Sequence, residues 1–351
     1  MNIKKNILDA SQKELEQYCV GNGFKKYGAE QVMRWIYSGR IFDFSAMSDI
    51  SKQLREKLDD DFYVVFPKII DTKYENDDNG NSKKYLIKLE DGGIIESVLL
   101  THKNRKTLCV SSQIGCRMGC VYCETSGMGF FRNLTSGEII SQLFTVENDT
   151  GERITNIVFM GMGEPLDNID EVGKSLDIIS NDKFIGIAPR KITISTCGLL
   201  NILGHFDIND YKYKLAISLN ASDNKTRNML MPVNKRFPIE KIIELINLKK
   251  PSLHNKITIE YVLIKGVNDA AEDAKRIINM FSPAKVKFNL IPLNKAENSI
   301  YLKRYEKSED TAAYNFKLKL LKAGFTVTVR FSKAGSINGG CGQLKAQTIN
   351  S

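Results

Sequence analysis

The sequence predicts an α/β protein whose main part is an incomplete parallel barrel behind a small helical domain. Helical periodicity dominates the first 65 residues, and a short stretch of strand-like sequence follows. From about residue 105, β-branched runs alternate with helical stretches, which is the pattern of a parallel sheet with right-handed crossovers. We therefore expect a partial (β/α)6 TIM-like barrel in residues 105–346, a helical accessory domain in residues 1–65 and a β linker segment in residues 66–104.

The accessory domain is predicted from apolar residues at helical spacing and from a helix start. The recurring residues are Leu15, Tyr18 and Cys19 in one stretch and Val32, Trp35 and Ile36 in another. Residues 48–51, Ser-Asp-Ile-Ser, are typical of a helix start. Residues 62–66 and 85–89 are predicted strands, and residues 91–93 form a turn after the second.

The barrel is predicted from short β-branched runs with helices between them. The runs occupy residues 107–111, 154–160, 191–195, 214–219, 256–263, 285–292 and 326–330. The helical stretches include residues 136–147, 239–248, 270–280 and 311–321. In parallel barrels the functional side chains lie at the carboxyl ends of the strands, so we expect the site there.

Composition describes a globular protein that favours an anionic partner. The 351 residues are 42% hydrophobic and 26% charged, with no apolar run of about 18 residues, so no membrane span is expected. The amino terminus lacks an apolar signal segment and the cysteines are clustered, which predicts a cytoplasmic location. The net charge of +9 favours RNA as a partner, although a basic enzyme without nucleic acid is the alternative. Basic segments that could meet phosphate are residues 83–84, 103–106, 190–191, 235–236 and 249–250, although a solvated surface is the alternative for each of them.

Three cysteines in one short segment carry the strongest chemical signal. Cys116, Cys120 and Cys123 form a C-x₃-C-x₂-C pattern. Three thiolates can hold three irons of a [4Fe–4S] cluster, and the open fourth iron can bind S-adenosyl-L-methionine (SAM). This spacing resembles that of the radical SAM superfamily. Structural zinc is the alternative, but it takes four cysteine or histidine ligands, and the chain's three histidines stand apart in the sequence.

Other cysteines stand outside that pattern. Cys109 lies on the first predicted barrel strand, and Cys341 lies between glycines near the carboxyl terminus, which predicts a mobile, exposed loop. Two free thiols can act as a nucleophile and a resolving partner, since thiolates attack and then exchange as disulfides. A buried, inert thiol is the alternative for Cys109, and both interpretations stay open for Cys341. Cys197 is expected to line the barrel mouth without an assigned role.

A glycine-rich turn follows the predicted strand at residues 154–160. Gly161, Gly163 and Glu164 stand in G-M-G-E-P, where glycine lets the backbone approach a ligand and the carboxylate can accept from an ammonium group. We interpret this turn as a contact for the methionyl amine of SAM. A turn with a surface glutamate is the alternative.

Over nearly its whole length the chain resembles the RlmN/Cfr family of radical SAM RNA adenosine methyltransferases. The most specific matching segments are residues 27–32, 109–116, 161–166 and 341–344. The resemblance implies catalytic roles for Cys341, Cys109 and Glu96 and cluster ligation by Cys116, Cys120 and Cys123. The positions that it places at SAM are Gly163, Glu164, Ser195, Ser218, Leu219, Asn220 and Asn294.

The resemblance implies a methyl transfer in two stages. A first SAM methylates Cys341, and a second SAM, cleaved at the cluster, gives a 5′-deoxyadenosyl radical that takes a hydrogen from that methyl group. The resulting carbon radical adds to adenine, Glu96 accepts the ring proton, and Cys109 releases the product by forming a disulfide with Cys341. Relatives that methylate carbon 2 carry Gly-Glu-Pro, as this chain does with Pro165, whereas the carbon-8 type carries Gly-Glu-Ala.

The implied reaction is therefore methylation of carbon 2, at adenosine 2503 of 23S ribosomal RNA and adenosine 37 of tRNAs. The alternatives are a carbon-8 methyltransferase of 23S ribosomal RNA that confers antibiotic resistance and a non-catalytic iron–sulfur RNA-binding protein. The resemblance also implies an electron donor such as flavodoxin or ferredoxin and a monomeric enzyme. The chain departs from the family at Asn220, usually histidine, at Glu124, usually a small residue, and in residues 336–340, usually Asp-Ile-x-Ala-Ala.

Overall fold

The computed structural model of the chain describes residues 4–77, 80–199, 208–252, 255–294, 305–330 and 337–345. Its first part is a helical module closed by a short pair of parallel strands. The elements are β1 (Lys5–Asn6), α1 (Gln12–Gly21), α2 (Tyr27–Met33), α3 (Lys52–Asp61) and β2 (Phe62–Tyr63). The predicted helix start is confirmed, because the Ser51 hydroxyl accepts from the Leu54 amide at 3.3 Å before α3 begins. The predicted strand at residues 62–66 is shorter than expected and forms only β2.

One ten-stranded sheet dominates the rest of the described chain. Besides the strands of this sheet, the region contains two further short strands. The twelve strands of this described region are β3 (Lys68–Asp77), β4 (Gly80–Lys88), β5 (Ile94–His102), β6 (Arg105–Cys109), β7 (Gln113–Gly115), β8 (Phe130–Asn133), β9 (Asn156–Phe159), β10 (Ile192–Thr196), β11 (Lys214–Ser218), β12 (Ile257–Leu263), β13 (Val286–Pro292) and β14 (Val327–Val329). The sheet order is β14-β13-β12-β11-β10-β9-β6-β5-β4-β3, and β7 pairs with β8 in a separate hairpin. Strands β6 and β9 to β14 are parallel neighbours, as the alternating pattern predicts. Strands β3 to β5 extend this sheet in antiparallel order.

Helices connect most of the parallel strands on the outside of the sheet. They are α4 (Glu124–Gly127), α5 (Ser136–Thr150), α6 (Ile169–Ser180), α7 (Asn224–Leu230), α8 (Ile239–Leu248), α9 (Ala271–Met280) and α10 (Asp310–Lys322). Each barrel strand, and each barrel helix for which the sequence predicts bounds, is present within three residues of its expected ends. Among the described residues, no helix is both long enough and apolar enough to cross a membrane.

The helical module packs against α5 of the barrel. The Phe144 ring of α5 lies 5.9 Å from the Phe42 ring and 6.1 Å from the Tyr37 ring between centroids. At the start of α5, the Gly137 amide donates to the Asp9 carboxylate at 3.1 Å. The module and the barrel therefore share an apolar contact and a polar one.

Candidate active site

The carboxyl ends of the parallel strands surround one cavity. The predicted site residues that line it are Cys116, Cys120, Cys123, Gly163, Glu164, Ser195, Ser218, Asn220, Asn294 and Cys341. Of the other predicted residues, Leu219 is fully buried beside the cavity, and Cys109 and Glu96 are not among the described residues that line it. The structure thus brings the cysteine motif, the glycine-glutamate turn and the carboxyl-terminal cysteine together.

The cysteine motif begins where β7 ends and lies in the connection between β7 and β8. Gly115 has a φ of +74°, and a Cβ there would lie 1.9 Å from the Gly129 carbonyl oxygen, so only glycine fits. The Cys116 amide then donates to that same carbonyl at 2.8 Å. The chain turns back so that the Cys123 amide donates to the Cys120 carbonyl at 3.2 Å, and Cys123 precedes α4. This tight path holds all three sulfurs at the cavity.

The chemistry of these three side chains fits an iron–sulfur cluster. Burial raises the pKa of Cys116 to about 12 and also raises the pKa of Cys120. Such thiols become thiolates when a metal coordinates them. Within the described ranges, no group of three or more His, Cys, Asp or Glu side chains converges closely enough to hold a single metal ion. A zinc ion would require convergence at about 2.3 Å per sulfur, whereas a cluster takes each thiolate on a different iron.

The glycine-glutamate turn is held by side chains that accept hydrogen bonds from backbone amides. Gly163 has a φ of +99°, and a Cβ there would lie 2.6 Å from the side chain of Gln113. Gln113 in turn accepts from the Glu164 amide at 2.9 Å. The Glu164 carboxylate accepts from the amides of Leu166 at 3.1 Å and Cys197 at 2.7 Å. Glu164 lines the cavity, and burial raises the pKa of its carboxyl, so an ammonium group bound there would favour the charged carboxylate.

Asn220 lies two residues after the end of β11 and connects three parts of the site. Its φ of +55° is left-handed, a region that asparagine tolerates better than most residues. Its side-chain amide donates to the Tyr122 hydroxyl at 2.6 Å and accepts from the Val262 amide at 2.7 Å. The residue that departs from the family pattern therefore has a buried structural role next to the cysteine motif. Ser336, where another departure begins, lies outside the described residues.

Cys341 and Cys109 approach the cavity from different elements. Cys341 is exposed to the cavity but surrounded by protein, and burial raises its pKa. Cys109, the last residue of β6, is half-buried, and burial raises its pKa to about 12, with a further contribution from the charge of Cys341. The two thiols therefore lie within electrostatic range of each other. All seven cysteines are free, so the expected disulfide between Cys109 and Cys341 is not supported in this state.

Glu96 lies on β5 and is 3% exposed. Its carboxylate accepts from the Lys84 ammonium at 3.0 Å and from the Lys345 amide at 2.8 Å. Burial raises the pKa of Glu96, and the charge of Lys84 opposes that rise. The basic segments predict phosphate contacts for Lys84 and Lys249, but both are buried and paired with protein oxygens. The prediction of phosphate contact is wrong for these two.

Two charged residues that lie at the site are not predicted from the sequence. Glu260 on β12 lines the cavity, and the Asn289 amide donates to its carboxylate at 2.7 Å. A single acidic residue within the apolar run of β12 is the signal that could have found it. Arg227 on α7 is fully buried and donates to the Cys197 and Leu219 carbonyls at 2.8 and 3.0 Å. Cys197 lines the cavity as expected.

A parallel barrel with three clustered cysteines and a glycine-glutamate turn at its mouth defines a radical SAM enzyme, which works with a [4Fe–4S] cluster and SAM. A model of the radical SAM superfamily matches residues 110–279, and a model of the ribosomal RNA large subunit methyltransferase N-terminal domain matches residues 5–64. The chain is similar to a solved radical SAM methyltransferase from Sphaerobacter thermophilus, with 32% identity, a TM-score of 0.85 and coverage of 98% of this chain and 100% of that one.

Curated relatives carry the name "Probable dual-specificity RNA methyltransferase RlmN". The protein of Clostridium novyi (strain NT) is 39% identical over 98% of this chain and 99% of its own length. The protein of Clostridium perfringens (strain SM101 / Type A) is 40% identical over 99% of this chain and 98% of its own length. The chain belongs to the RlmN family of radical SAM methyltransferases.

Proposed function

We propose that this chain methylates carbon 2 of adenosine in RNA and that Cys341 carries the methyl group. The observation that carries the proposal is the placement of Cys341 in the same cavity as Cys116, Cys120 and Cys123. A methyl group on its sulfur would face the SAM site across that cavity. The substrates that fit the family are 23S ribosomal RNA and tRNA, and Pro165 favours carbon 2 over carbon 8.

Several residues of the chain have separate roles in binding SAM. When bound, the cluster and SAM supply the radical chemistry that a non-nucleophilic ring carbon requires. Glu164 accepts a hydrogen bond from the methionyl ammonium group. Ser195, Ser218 and Asn294 contact the rest of the SAM molecule. Their positions around one cavity support these assignments.

The last steps belong to three side chains. Glu96 accepts the proton that leaves the adenine ring, and the unpaired electron that radical addition leaves on the adduct would pass to a one-electron acceptor, a role that the cluster can fill when bound. The Cys109 thiolate attacks the sulfur of Cys341, so that an S–S bond forms, the S–C bond to the methylene group breaks, and the released carbon takes a proton. An external reductant of the thiol class then restores both thiols. The charge of Cys341 contributes to the raised pKa of Cys109, which supports placing the two thiols near each other.

The module of residues 1–65 is proposed to bind RNA, and the net charge of +9 supports an anionic partner. We further propose a flavodoxin or ferredoxin as electron donor and a monomeric enzyme. An adenosine in folded RNA must leave its stack to enter the barrel mouth.

Cysteine variants test the function and the order of the two thiols. Cys109→Ala should stall as a covalent protein–RNA adduct, seen as a slow, nuclease-sensitive band on a denaturing gel. Cys341→Ala and the double variant should give no adduct, because the attachment point is gone. Wild-type enzyme should yield 2-methyladenosine by mass spectrometry of digested RNA. Appearance of 8-methyladenosine, of no product, or of an adduct without Cys341 would contradict the proposal.

A further inference from the structure

The carboxyl-terminal segment 337–345, which we call the Cys341 loop, is held on two sides. On one side, the Glu124 amide donates to the Gly342 carbonyl at 2.8 Å, and the Thr125 hydroxyl donates to the Leu344 carbonyl at 2.7 Å. These contacts tie the loop to the helix that follows the cysteine motif. On the other side, the loop meets a buried ion pair on the antiparallel strands.

We propose that Lys84 is a positioning residue that, together with Glu96, fixes the Cys341 loop in the cavity. The Lys84 ammonium donates to Glu96 at 3.0 Å and to the Asn338 carbonyl at 3.3 Å. The second carboxylate oxygen of Glu96 accepts from the Lys345 amide at 2.8 Å. The pair therefore contacts the loop on both sides of Cys341, at Asn338 before it and at Lys345 after it.

The sheet register explains how the two charges meet. Lys84 on β4 is opposite Val98, and Glu96 on β5 is opposite Leu86, so the two residues are diagonal neighbours on one face. Lys83 points to the other face, where its ammonium lies 2.6 Å from Asp149. Only Lys84 of the two lysines faces the loop.

Burial makes the Lys84–Glu96 pair unlike a surface ion pair. Lys84 is 8% exposed and Glu96 is 3% exposed. Removing two charges from water is costly, and their attraction offsets that cost only when additional hydrogen bonds satisfy them. Asn338 and Lys345 supply those hydrogen bonds here. The hydrogen bonds that dock the Cys341 loop are therefore the same ones that stabilise the buried charges.

The consequence is a loop whose position depends on Lys84. Without the ammonium group, Asn338 loses its donor and Glu96 is left buried without its cation. The Cys341 loop should then leave the cavity more often, and its thiol, which is already exposed within the cavity, should become more accessible to reagents in solution. Methylation of Cys341 should then be slower. This expectation rests on the proposed function, whereas the position of the loop can be measured without it.

Alkylation of Cys341 in the intact, iron-loaded protein tests the proposal without RNA or SAM. We expect Lys84→Met to raise the rate of Cys341 alkylation by iodoacetamide roughly ten- to a hundredfold, the change expected when hydrogen bonds to charged groups are lost. Peptide mass spectrometry follows Cys341, and the buried Cys19 in the helical module reports global unfolding in the same sample. Lys83→Met is the matched control and should behave like wild type. Lys84→Arg retains the charge and should restore most of the protection.

Hydrogen exchange of residues 337–345 gives a second measure that does not depend on a thiol. Lys84→Met should speed exchange there while exchange in α1 stays unchanged. Glu96→Gln keeps the shape of the side chain but removes its charge, so it should speed exchange in residues 337–345 to a smaller extent. This variant tests the same contact if Lys84→Met does not fold. Unchanged alkylation and exchange in these variants would overturn the positioning role, whatever the outcome for RNA methylation. Equal acceleration at Cys19 and Cys341 would also overturn it, since it would show a general loss of stability.

Discussion

Cys341 lies where its surroundings oppose ionisation of the thiol. Burial raises its pKa first, and the charge of Glu260 raises it further, while Arg330 acts in the opposite direction. Because the thiolate is the nucleophile, the resting side chain is protected from adventitious reaction. Methylation of this sulfur therefore requires that its proton be removed within the cavity.

The contribution of Glu260 can be measured directly. Glu260→Gln removes a negative charge that raises the pKa of Cys341, so that pKa should fall and the thiolate fraction at a given pH should rise. The alkylation rate of Cys341, measured against pH, should then reach its half-maximum at lower pH than in wild type. Glu244→Gln, on the exposed side of α8, is the control and should leave the profile in place. A profile shifted to higher pH in Glu260→Gln would contradict the electrostatic account.

Residue spacing could predict the cysteines but not the charges around them. The C-x₃-C-x₂-C spacing places three possible cluster ligands within one short segment, so the sequence alone predicts Cys116, Cys120 and Cys123 as ligands. Lys84 is different, since a lysine in an alternating strand usually faces solvent, and only pairing with β5 and the distant Cys341 loop buries it. Its role depends on contacts between residues far apart in the chain.

At the scale of elements, α7 fixes the ends of two parallel strands through one side chain. Arg227 is fully buried and donates to the Cys197 carbonyl after β10 and to the Ser218 carbonyl at the end of β11. Among the described residues, the acceptors of this buried guanidinium are all neutral oxygens, which is unusual, and its hydrogen bonds satisfy carbonyl groups at these strand ends. The residues proposed to contact SAM thus depend on a helix outside the cavity.

Replacing Arg227 should weaken the fold and the SAM site together. Arg227→Met leaves several buried carbonyls without donors, at about 1–3 kcal/mol each, so the free energy of unfolding should fall by roughly 3 kcal/mol or more. SAM affinity, measured by titration calorimetry on the iron-loaded protein, should fall as well. The exposed Arg236→Met is the control, and its unfolding free energy should change by less than about 0.5 kcal/mol. A stable Arg227→Met with wild-type affinity would show that the strand ends need no such support.

The elements that sequence could not predict share a physical cause. Strongly apolar runs such as β12 and helices such as α8 follow their periodicity closely. Strand β3, whose side chains are mostly exposed or half-buried, is not predicted, because few apolar residues mark it. It acquires its structure by pairing with β4, which is a tertiary effect.

At the scale of the molecule, the helical module and the barrel meet closely at the start of α5. A Cβ on Gly137 would lie 2.5 Å from the Asp9 carboxylate and 2.9 Å from the Leu8 side chain, so glycine is required there. The turn that carries Leu8 and Asp9 immediately precedes α1. Periodicity could predict that both partners have a buried face, but not that these two faces pack together, since the contact joins residues 128 positions apart.

Two helical glycines allow this contact to be tested with a matched pair. Gly137→Ala should force the module away from α5, at a cost of about 1–3 kcal/mol in the free energy of unfolding, as in other overpacked sites. At Gly173 on α6, an added Cβ would meet no atom within 4 Å, so Gly173→Ala should be neutral or stabilise by up to about 1 kcal/mol through helix propensity. Hydrogen exchange should rise around Leu8 and Asp9 in Gly137→Ala only, while iron content stays at the wild-type level because the cysteine motif is remote from this contact. If both variants gave equal exchange at Leu8, the docking of the module would not depend on the space at Gly137.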